Sequence, residues 1–129
     1  MWVRSLLLGI SAGLMLGDGV GAAPIVLARS SCEGEGSNIQ YKACLRKNYE
    51  ESDLQLNQVY KQVRSKIGTE ERKILTDAQV AWITYRDKTC DVETFINRGG
   101  TGYRGFLSVC LDRMTQARTI ELRNQLDNR

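Results

Sequence analysis

The longest uninterrupted helical pattern in this chain covers residues 37–67, which read SNIQYKACLRKNYEESDLQLNQVYKQVRSKI. Neither proline nor glycine occurs in this stretch, and apolar or small side chains recur at steps of three and four, the spacing of one face of an α-helix. The predicted inward face consists of Tyr41, Leu45, Tyr49, Ser52, Leu56, Val59, Val63 and Ile67. We therefore predict one long amphipathic helix over residues 37–67.

Two further helical patterns follow. Gly68 ends the first helix, and we expect Thr69 to be the N-cap of the second. The second helix is expected to end before the glycine-rich residues 97–102. The third spans about residues 105–126, and no strand-like alternation accompanies these patterns. The predicted inward residues are Leu75, Ala78, Trp82, Tyr85, Thr89 and Val92 on the second helix, and Leu107, Cys110, Leu111, Met114, Ala117 and Leu122 on the third. Short connections then predict an all-α, three-helix antiparallel bundle.

The N-terminus has the pattern of an export signal. Arg4 precedes an apolar run from Leu6 to Leu16, and small residues follow up to residue 22. A run of this length is too short to cross the roughly 30 Å of membrane hydrocarbon. We expect a signal peptide over residues 1–22, with an alternative cleavage site near residue 28, and an N-terminal arm over 23–36. No lipid-attachment cysteine follows the run, so we expect a periplasmic or secreted protein without a membrane anchor after cleavage.

Composition excludes several classes of function. The 129 residues suit one domain, and the formal charge of +3 comes without a concentrated basic run, which argues against a nucleic-acid partner. Histidine is absent, which removes Ser-His-Asp and Cys-His catalysis and the imidazole ligands of most catalytic zinc sites. No CxxC pair occurs either. We therefore expect no metal and no cofactor.

All four cysteines follow the export signal, and an even number in an oxidising compartment indicates two disulfides. The spacing alone leaves three pairings open. In the predicted bundle, Cys44, Cys90 and Cys110 lie at the same end. We favour Cys32–Cys44, which would tie down the N-terminal arm, and Cys90–Cys110, which would close the glycine-rich loop.

Polar side chains interrupt the apolar faces of the predicted helices. A charge on a buried face is costly unless it is paired, so we expect Asp53 to meet Arg86 or Arg118 across the bundle. The predicted polar network consists of Asp53, Asn57, Gln79, Arg86 and Arg118. Either the network sets the register of the helices or it lines a small polar pocket. Because no nucleophile lies beside a base, we favour the structural role and expect no catalytic residue and no enzyme activity.

The glycine-rich connection is the best candidate for a contact surface. It reads NRGGTGYR over residues 97–104 and lacks the strand, helix and Lys-Ser/Thr ending of a phosphate-binding P-loop. Exposed arginine and aromatic side chains on a loop are typical of protein contacts. We therefore predict that Arg98, Tyr103 and Arg104 contact a partner.

Three motifs of this chain resemble the LprI-like family. Residues 44–60 are similar to its "C…Y…aD.eLN..Y" opening, residues 75–90 to its "L..aQ.aWi.yRd..C" centre, and residues 99–122 to its "GG.G…CL…T..R..eL" close. The resemblance implies a helical, disulfide-bearing, exported domain, here over residues 37–127. The family is named after a mycobacterial lipoprotein that inhibits lysozyme, and its signature positions match Asp53, Asn57, Gln79, Trp82 and Arg86.

Three functional hypotheses follow. The first is an exported binding protein that inhibits lysozyme or a related cell-wall hydrolase by covering its cleft. The second is an interaction module of the cell envelope without an enzyme target, and the third is a small-ligand or catalytic pocket around Asp53 and Arg86. Animal-type lysozymes are basic and would be steered best by an acidic face. Glu33 and Glu35 lie at the disulfide end of the predicted bundle, whereas Glu70 and Glu71 lie at the opposite end, so they would not readily form one acidic patch.

Overall fold

A computed structural model describes residues 30–129. It contains three α-helices, α1 (Asn38–Ser65), α2 (Thr69–Glu93) and α3 (Tyr103–Asp127), and a 3₁₀ turn at Phe95–Asn97. Within residues 30–129 no strand is formed, so the prediction of an all-α fold with three helices is confirmed. The predicted signal peptide and residues 23–29 of the predicted arm lie outside the described residues.

The directions of the helices follow from the side chains that meet. Between α1 and α2, and between α2 and α3, later positions of the first helix contact earlier positions of the second. α2 therefore runs antiparallel to both α1 and α3. The pairs are Asp53–Arg86 and Tyr60–Thr76 between α1 and α2, and Arg86–Thr115 and Gln79–Arg118 between α2 and α3. The arrangement is therefore an up-down-up bundle, in which α1 and α3 run parallel.

α1 and α3 make the most extensive helix contact in the fold. The buried face of α3 towards α1 is built from small or short side chains at helical spacing, which allows the two backbones to approach closely. These residues are Gly105, Ser108, Asp112, Thr115 and Thr119, followed by Leu122. A Cβ added at Gly105 would lie 3.4 Å from the Leu45 side chain. The predicted inward position of Ala117 is wrong, because Ala117 is exposed.

Enlarging this small-residue face should destabilise the protein. Thr115 is fully buried and its hydroxyl accepts a hydrogen bond from Arg86. We expect Thr115→Leu to lower the free energy of unfolding by about 2 kcal/mol, because the larger side chain has no space between the helices and the hydroxyl is lost. The matched control is Thr84→Leu at an exposed position of α2. Urea unfolding that gave both variants the same midpoint would contradict this packing.

The backbones of α1 and α2 come close at few points, and larger side chains fill the space between them. The apolar core lies towards the α1–α2 turn and contains Leu56, Val59, Val63, Ile67, Leu75 and Leu122, with Tyr60, Trp82 and Leu126 packed against it. Much of the hydrophobic stabilisation is therefore at this end. At the other end the two disulfides take over part of that role.

The inward face of α2 differs from the sequence prediction. Its buried residues are Leu75, Gln79, Arg86 and Cys90, whereas Tyr85 and Val92 are exposed to 63% and 78%. Ala78 on α2 and Tyr41 on α1 are also exposed, against prediction. Gln79 and Arg86, which the sequence placed in the polar network, are buried with partners on α1 and α3, so the error concerns the apolar residues predicted to face inward.

Backbone caps define the helix starts. The Ser37 hydroxyl accepts the Gln40 N–H at 3.2 Å, which caps α1. For α2 the predicted N-cap, Thr69, is wrong, because Gly68 is the N-cap and donates its N–H to the Glu71 carboxylate at 3.3 Å. This hydrogen bond, together with the Arg129 guanidinium, lowers the pKa of Glu71 below its ordinary value.

Two disulfides, Cys32–Cys44 and Cys90–Cys110, join all four cysteines, in the pairing favoured from the sequence. The first ties the N-terminal arm to α1, where buried Asn48 also donates to the Ser30 carbonyl at 2.8 Å. The second joins the end of α2 to α3. It therefore brackets the whole connection between these helices.

Candidate functional site

Arg86 on α2 is a buried charged residue, and its side chain is only 8% exposed. Asp87 Oδ1 accepts from its Nε at 2.9 Å and lies 2.8 Å from Nη2. Thr115 Oγ1 and Asp53 Oδ1 lie 3.4 and 3.8 Å from Nη1. Every nitrogen of this guanidinium therefore has a protein acceptor.

Aromatic rings enclose the same guanidinium. The Cζ atom of Arg86 lies 5.6 Å from the ring centre of Tyr49 and 5.2 Å from that of Trp82. Arg118 lies over the Trp82 ring as well, at 5.9 Å. Burial raises the pKa of Tyr49. Arg86 acts to lower this pKa and the carboxylates of Asp53 and Asp87 act to raise it, and the net effect is an increase. We call Tyr49, Asp53, Trp82, Arg86 and Arg118 the Arg86 cluster.

A second feature is the segment between the bonded Cys90 and Cys110, which we call the framed loop (residues 91–109). Its 3₁₀ turn presents Phe95 and Ile96 to solvent, and Ile96 is 90% exposed. Arg98 stacks on Phe95 at 4.9 Å and pairs with Asp91 at 3.6 Å. Exposed apolar side chains at a tip supported by charged neighbours are typical of contact surfaces.

The framed loop is held in place at several points. The Thr94 hydroxyl, which is buried, donates to the Cys90 carbonyl at 2.7 Å, and Lys42 Nζ on α1 donates to the Thr101 carbonyl at 2.9 Å. Gly99 has a φ of +84°, a backbone conformation that residues other than glycine rarely adopt. Together with the disulfide, these contacts preorganise the loop.

The profile of the family described as "Lysozyme inhibitor LprI" matches residues 29–122. The chain belongs to the LprI family. An uncharacterized protein of Rhizobium meliloti (strain 1021) is 28% identical over 110 residues, which cover 75% of this chain and 79% of that protein. No solved structure shows significant similarity to the chain.

The LprI signature positions Asp53, Asn57, Gln79, Trp82 and Arg86 lie in and around the Arg86 cluster, whereas the glycines of the third motif lie in the framed loop. Of the five predicted network residues, Asp53 contacts Arg86, and Asn57 donates to Asp53 at 3.3 Å. Arg118 Nε donates to Gln79 at 3.1 Å. The LprI signature therefore falls on side chains that connect the three helices.

Asp53 meets Arg86, one of the two partners expected from the sequence, and lies beside the buried face with its side chain 43% exposed. Asn57 is exposed. The carboxylate partner of Arg118 is Glu121, at 2.8 Å. The acidic side of the Arg86 cluster thus opens to solvent, because Asp53 lies at the edge of the α1–α2 contact.

Sequence reasoning missed two carboxylates. Asp87 is the acid nearest to Arg86. Consecutive residues of a helix point in different directions, so their adjacency in sequence did not suggest this pair. Asp112 is buried between α3 and α1, where it accepts hydrogen bonds from Ser52 and Gln116. Its position could have indicated burial, because Asp112 lies four residues after Ser108 and three before Thr115, on the same face of α3.

The structure does not bring the three predicted contact residues to one surface. Arg98 lies beside Phe95 on the α2 side, whereas Arg104 lines a depression next to α1 with Lys42 and Arg46. Tyr103 was expected to be exposed but is half-buried as the first residue of α3. The exposed apolar residues of the framed loop, which the LprI motifs do not mark, were missed: Val92, Phe95, Ile96, Phe106 and Val109.

Residues 30–129 contain no helix that is both long and apolar enough to span a bilayer. In the same part of the chain, no group of three or more histidine, cysteine or acidic side chains is arranged to hold a metal ion.

Proposed function

We propose that this protein is exported and inhibits a lysozyme or a related cell-wall hydrolase by covering the active-site cleft with the framed loop. The family description supports an inhibitor with a protein partner, and two disulfides suit an oxidising compartment outside the cytoplasm. Under this proposal the Arg86 cluster positions the helices and carries out no reaction. Signal cleavage near residue 22 or 28 is part of the same proposal.

The exposure of Ile96 is the observation that carries the choice of surface. An isoleucine that is 90% exposed on a turn, next to exposed Phe95, has no role in the core of this protein. Burying such side chains in a partner's cleft removes apolar area from water, at about 25 cal/mol per Å². Because the disulfide and the Lys42 contact already order the loop, little conformational entropy is lost on binding.

The charges of the loop also suit a glycosidase cleft. Glycoside hydrolases commonly act through a pair of carboxyl groups that flank the scissile bond. Arg98 lies beside Phe95 at the loop tip, where it also pairs with Asp91. An apolar tip with this guanidinium beside it can therefore contact an acidic cleft, and the net charge of +3 acts in the same direction.

Replacing Ile96 tests this surface directly. We expect Ile96→Asp to weaken inhibition by more than about tenfold, because the carboxylate adds desolvation and repulsion where an apolar side chain enters the cleft. The measurement is the clearing of a cell-wall suspension by lysozyme and by envelope hydrolases at increasing concentrations of the oxidised protein.

Ile120→Asp is the matched control, because Ile120 is an isoleucine of similar environment, 59% exposed, on α3. It should inhibit like the unaltered protein. Equal inhibition by both variants would exclude the loop tip as the contact surface. An unaltered protein that inhibits no hydrolase even in large molar excess would leave the alternative, a cell-envelope interaction module without an enzyme target.

A further inference from the structure

The turn between α1 and α2 carries a positively charged depression that the proposed function does not use. Lys61, Arg64, Ser65 and Arg72 line it, with a volume of about 320 Å³. We call it the basic turn site. It lies at the end of the bundle opposite the framed loop, since α2 runs the full length between them.

Neutral groups hold both arginines of the site in place. Arg64 Nη1 donates to Tyr60 Oη and to Thr76 Oγ1, both at 3.3 Å, and its guanidinium lies 5.7 Å from the Tyr60 ring centre. Arg72 Nε donates to the Arg64 carbonyl at 2.8 Å. The positions of these cations are therefore fixed without any carboxylate.

Arg64 and Arg72 form no salt bridge with the described residues, as is also true of Arg104 and Arg123, but only Arg64 and Arg72 line one depression together. Six arginines there form salt bridges with aspartate or glutamate: Arg46, Arg86, Arg98, Arg113, Arg118 and Arg129. No acidic residue lines the basic turn site, and the nearest acid in the adjoining depression, Asp77, pairs with Lys73. Holding Arg64 and Arg72 together costs electrostatic repulsion that a bound anion would relieve.

We propose that the basic turn site binds a phosphate group. Guanidinium groups bind phosphate oxygens through paired hydrogen bonds, and an ammonium group adds a compact charge. Arg64 and Arg72 supply the fixed guanidinium groups, and Lys61 on the rim supplies the ammonium. Because Arg72 and Asp91 are 19 residues apart on α2, the site lies roughly 28 Å from the start of the framed loop, so a bound phosphate leaves the loop accessible.

Calorimetric titration of the oxidised protein with inorganic pyrophosphate tests the proposal. We expect saturable binding that Arg72→Gln weakens about tenfold and Lys61→Gln about threefold, since each removes one ligand of the anion. Lys61 is exposed, and no hydrogen bond or ion pair joins it to another of the described residues, so its replacement does not endanger the fold. The matched control is Lys88→Gln, an equal charge change at an exposed position far along α2.

Two results would overturn the proposal. One is no saturable pyrophosphate binding, and the other is an equal loss of affinity in Lys61→Gln, Arg72→Gln and Lys88→Gln, which would reflect net charge alone. Thermal melting of each variant checks that the helices are retained. Failure of this binding leaves hydrolase inhibition by the framed loop untouched, since the two surfaces share no residue.

Sedimentation with vesicles identifies the source of the phosphate. Binding to phosphatidylglycerol vesicles that pyrophosphate displaces and Arg72→Gln reduces would support the site and assign it to lipid headgroups. Saturable pyrophosphate binding without vesicle binding would support the same site and assign it to a soluble phosphate compound.

Discussion

Replacing Cys90 and Cys110 together with serine is expected to lower the free energy of unfolding by about 3 kcal/mol and to remove hydrolase inhibition. The stability loss follows from loop entropy, because the disulfide closes a separation of 20 residues. The inhibition loss follows from the position of the bond at both ends of the framed loop. Without it, Phe95 and Ile96 would have to be ordered at the moment of binding.

The first disulfide provides the control. Cys32–Cys44 closes a separation of 12 residues, so replacing both with serine should cost a similar amount, again about 3 kcal/mol. This variant keeps the framed loop closed and should still inhibit. Guanidinium unfolding and the clearing assay, both well below the melting temperature of each variant, separate stability from inhibition. Loss of inhibition in both variants, or in neither, would show that closure of the framed loop is not what the partner requires.

Replacing Arg86 with alanine is expected to cost about 3 kcal/mol of unfolding free energy. The side chain is nearly fully buried, packs between Tyr49 and Trp82, and donates to Thr115 on α3. Its removal leaves a cavity at the meeting point of the three helices and an unpaired hydroxyl. Arg86→Lys should recover only part of the loss, because an ammonium cannot stack flat on the rings or reach the same acceptors.

Asp53→Ala should have a much smaller effect, about 1 kcal/mol or less. Its carboxylate is 3.8 Å from Arg86 and is 43% exposed, and Asp87 remains as the closer partner. Chemical unfolding of both variants measures the difference. If Asp53→Ala proved as costly as Arg86→Ala, the ion pair rather than the stacked guanidinium would be what holds α2. If neither replacement changed stability, a structural role for the cluster would be excluded, and the polar-pocket hypothesis would gain support.

The helices were predictable because their signal is local. The three-and-four spacing from Leu45 to Ile67, the glycine at residue 68 and the glycine-rich run after residue 97 each act within a few turns of backbone. The disulfide pairing was also within reach, since helix order alone placed three cysteines at one end. These features required no knowledge of which side chains meet.

The candidate site was predictable only in part. Arg86, Gln79 and Arg118 were identified because polar residues on an apolar face need partners. Asp87 as the main partner, Asp112 in the α1–α3 contact and Ile96 at the loop tip were not. Which acid reaches Arg86 depends on the distance and rotation of α1 relative to α2, and a sequence pattern contains neither quantity.

By itself the sequence determined three helices, their order and the similarity to the LprI family, because backbone propensity and breaker residues act locally. It left three disulfide pairings open and favoured the one that the structure has. Tertiary structure alone decided that α3 packs on α1 through small side chains, that Tyr85 and Val92 on α2 remain exposed, and that Phe95 and Ile96 face solvent. The physical reason is that burial depends on what the neighbouring helix supplies. A polar side chain with partners can be interior, while an apolar one that no helix covers remains on the surface.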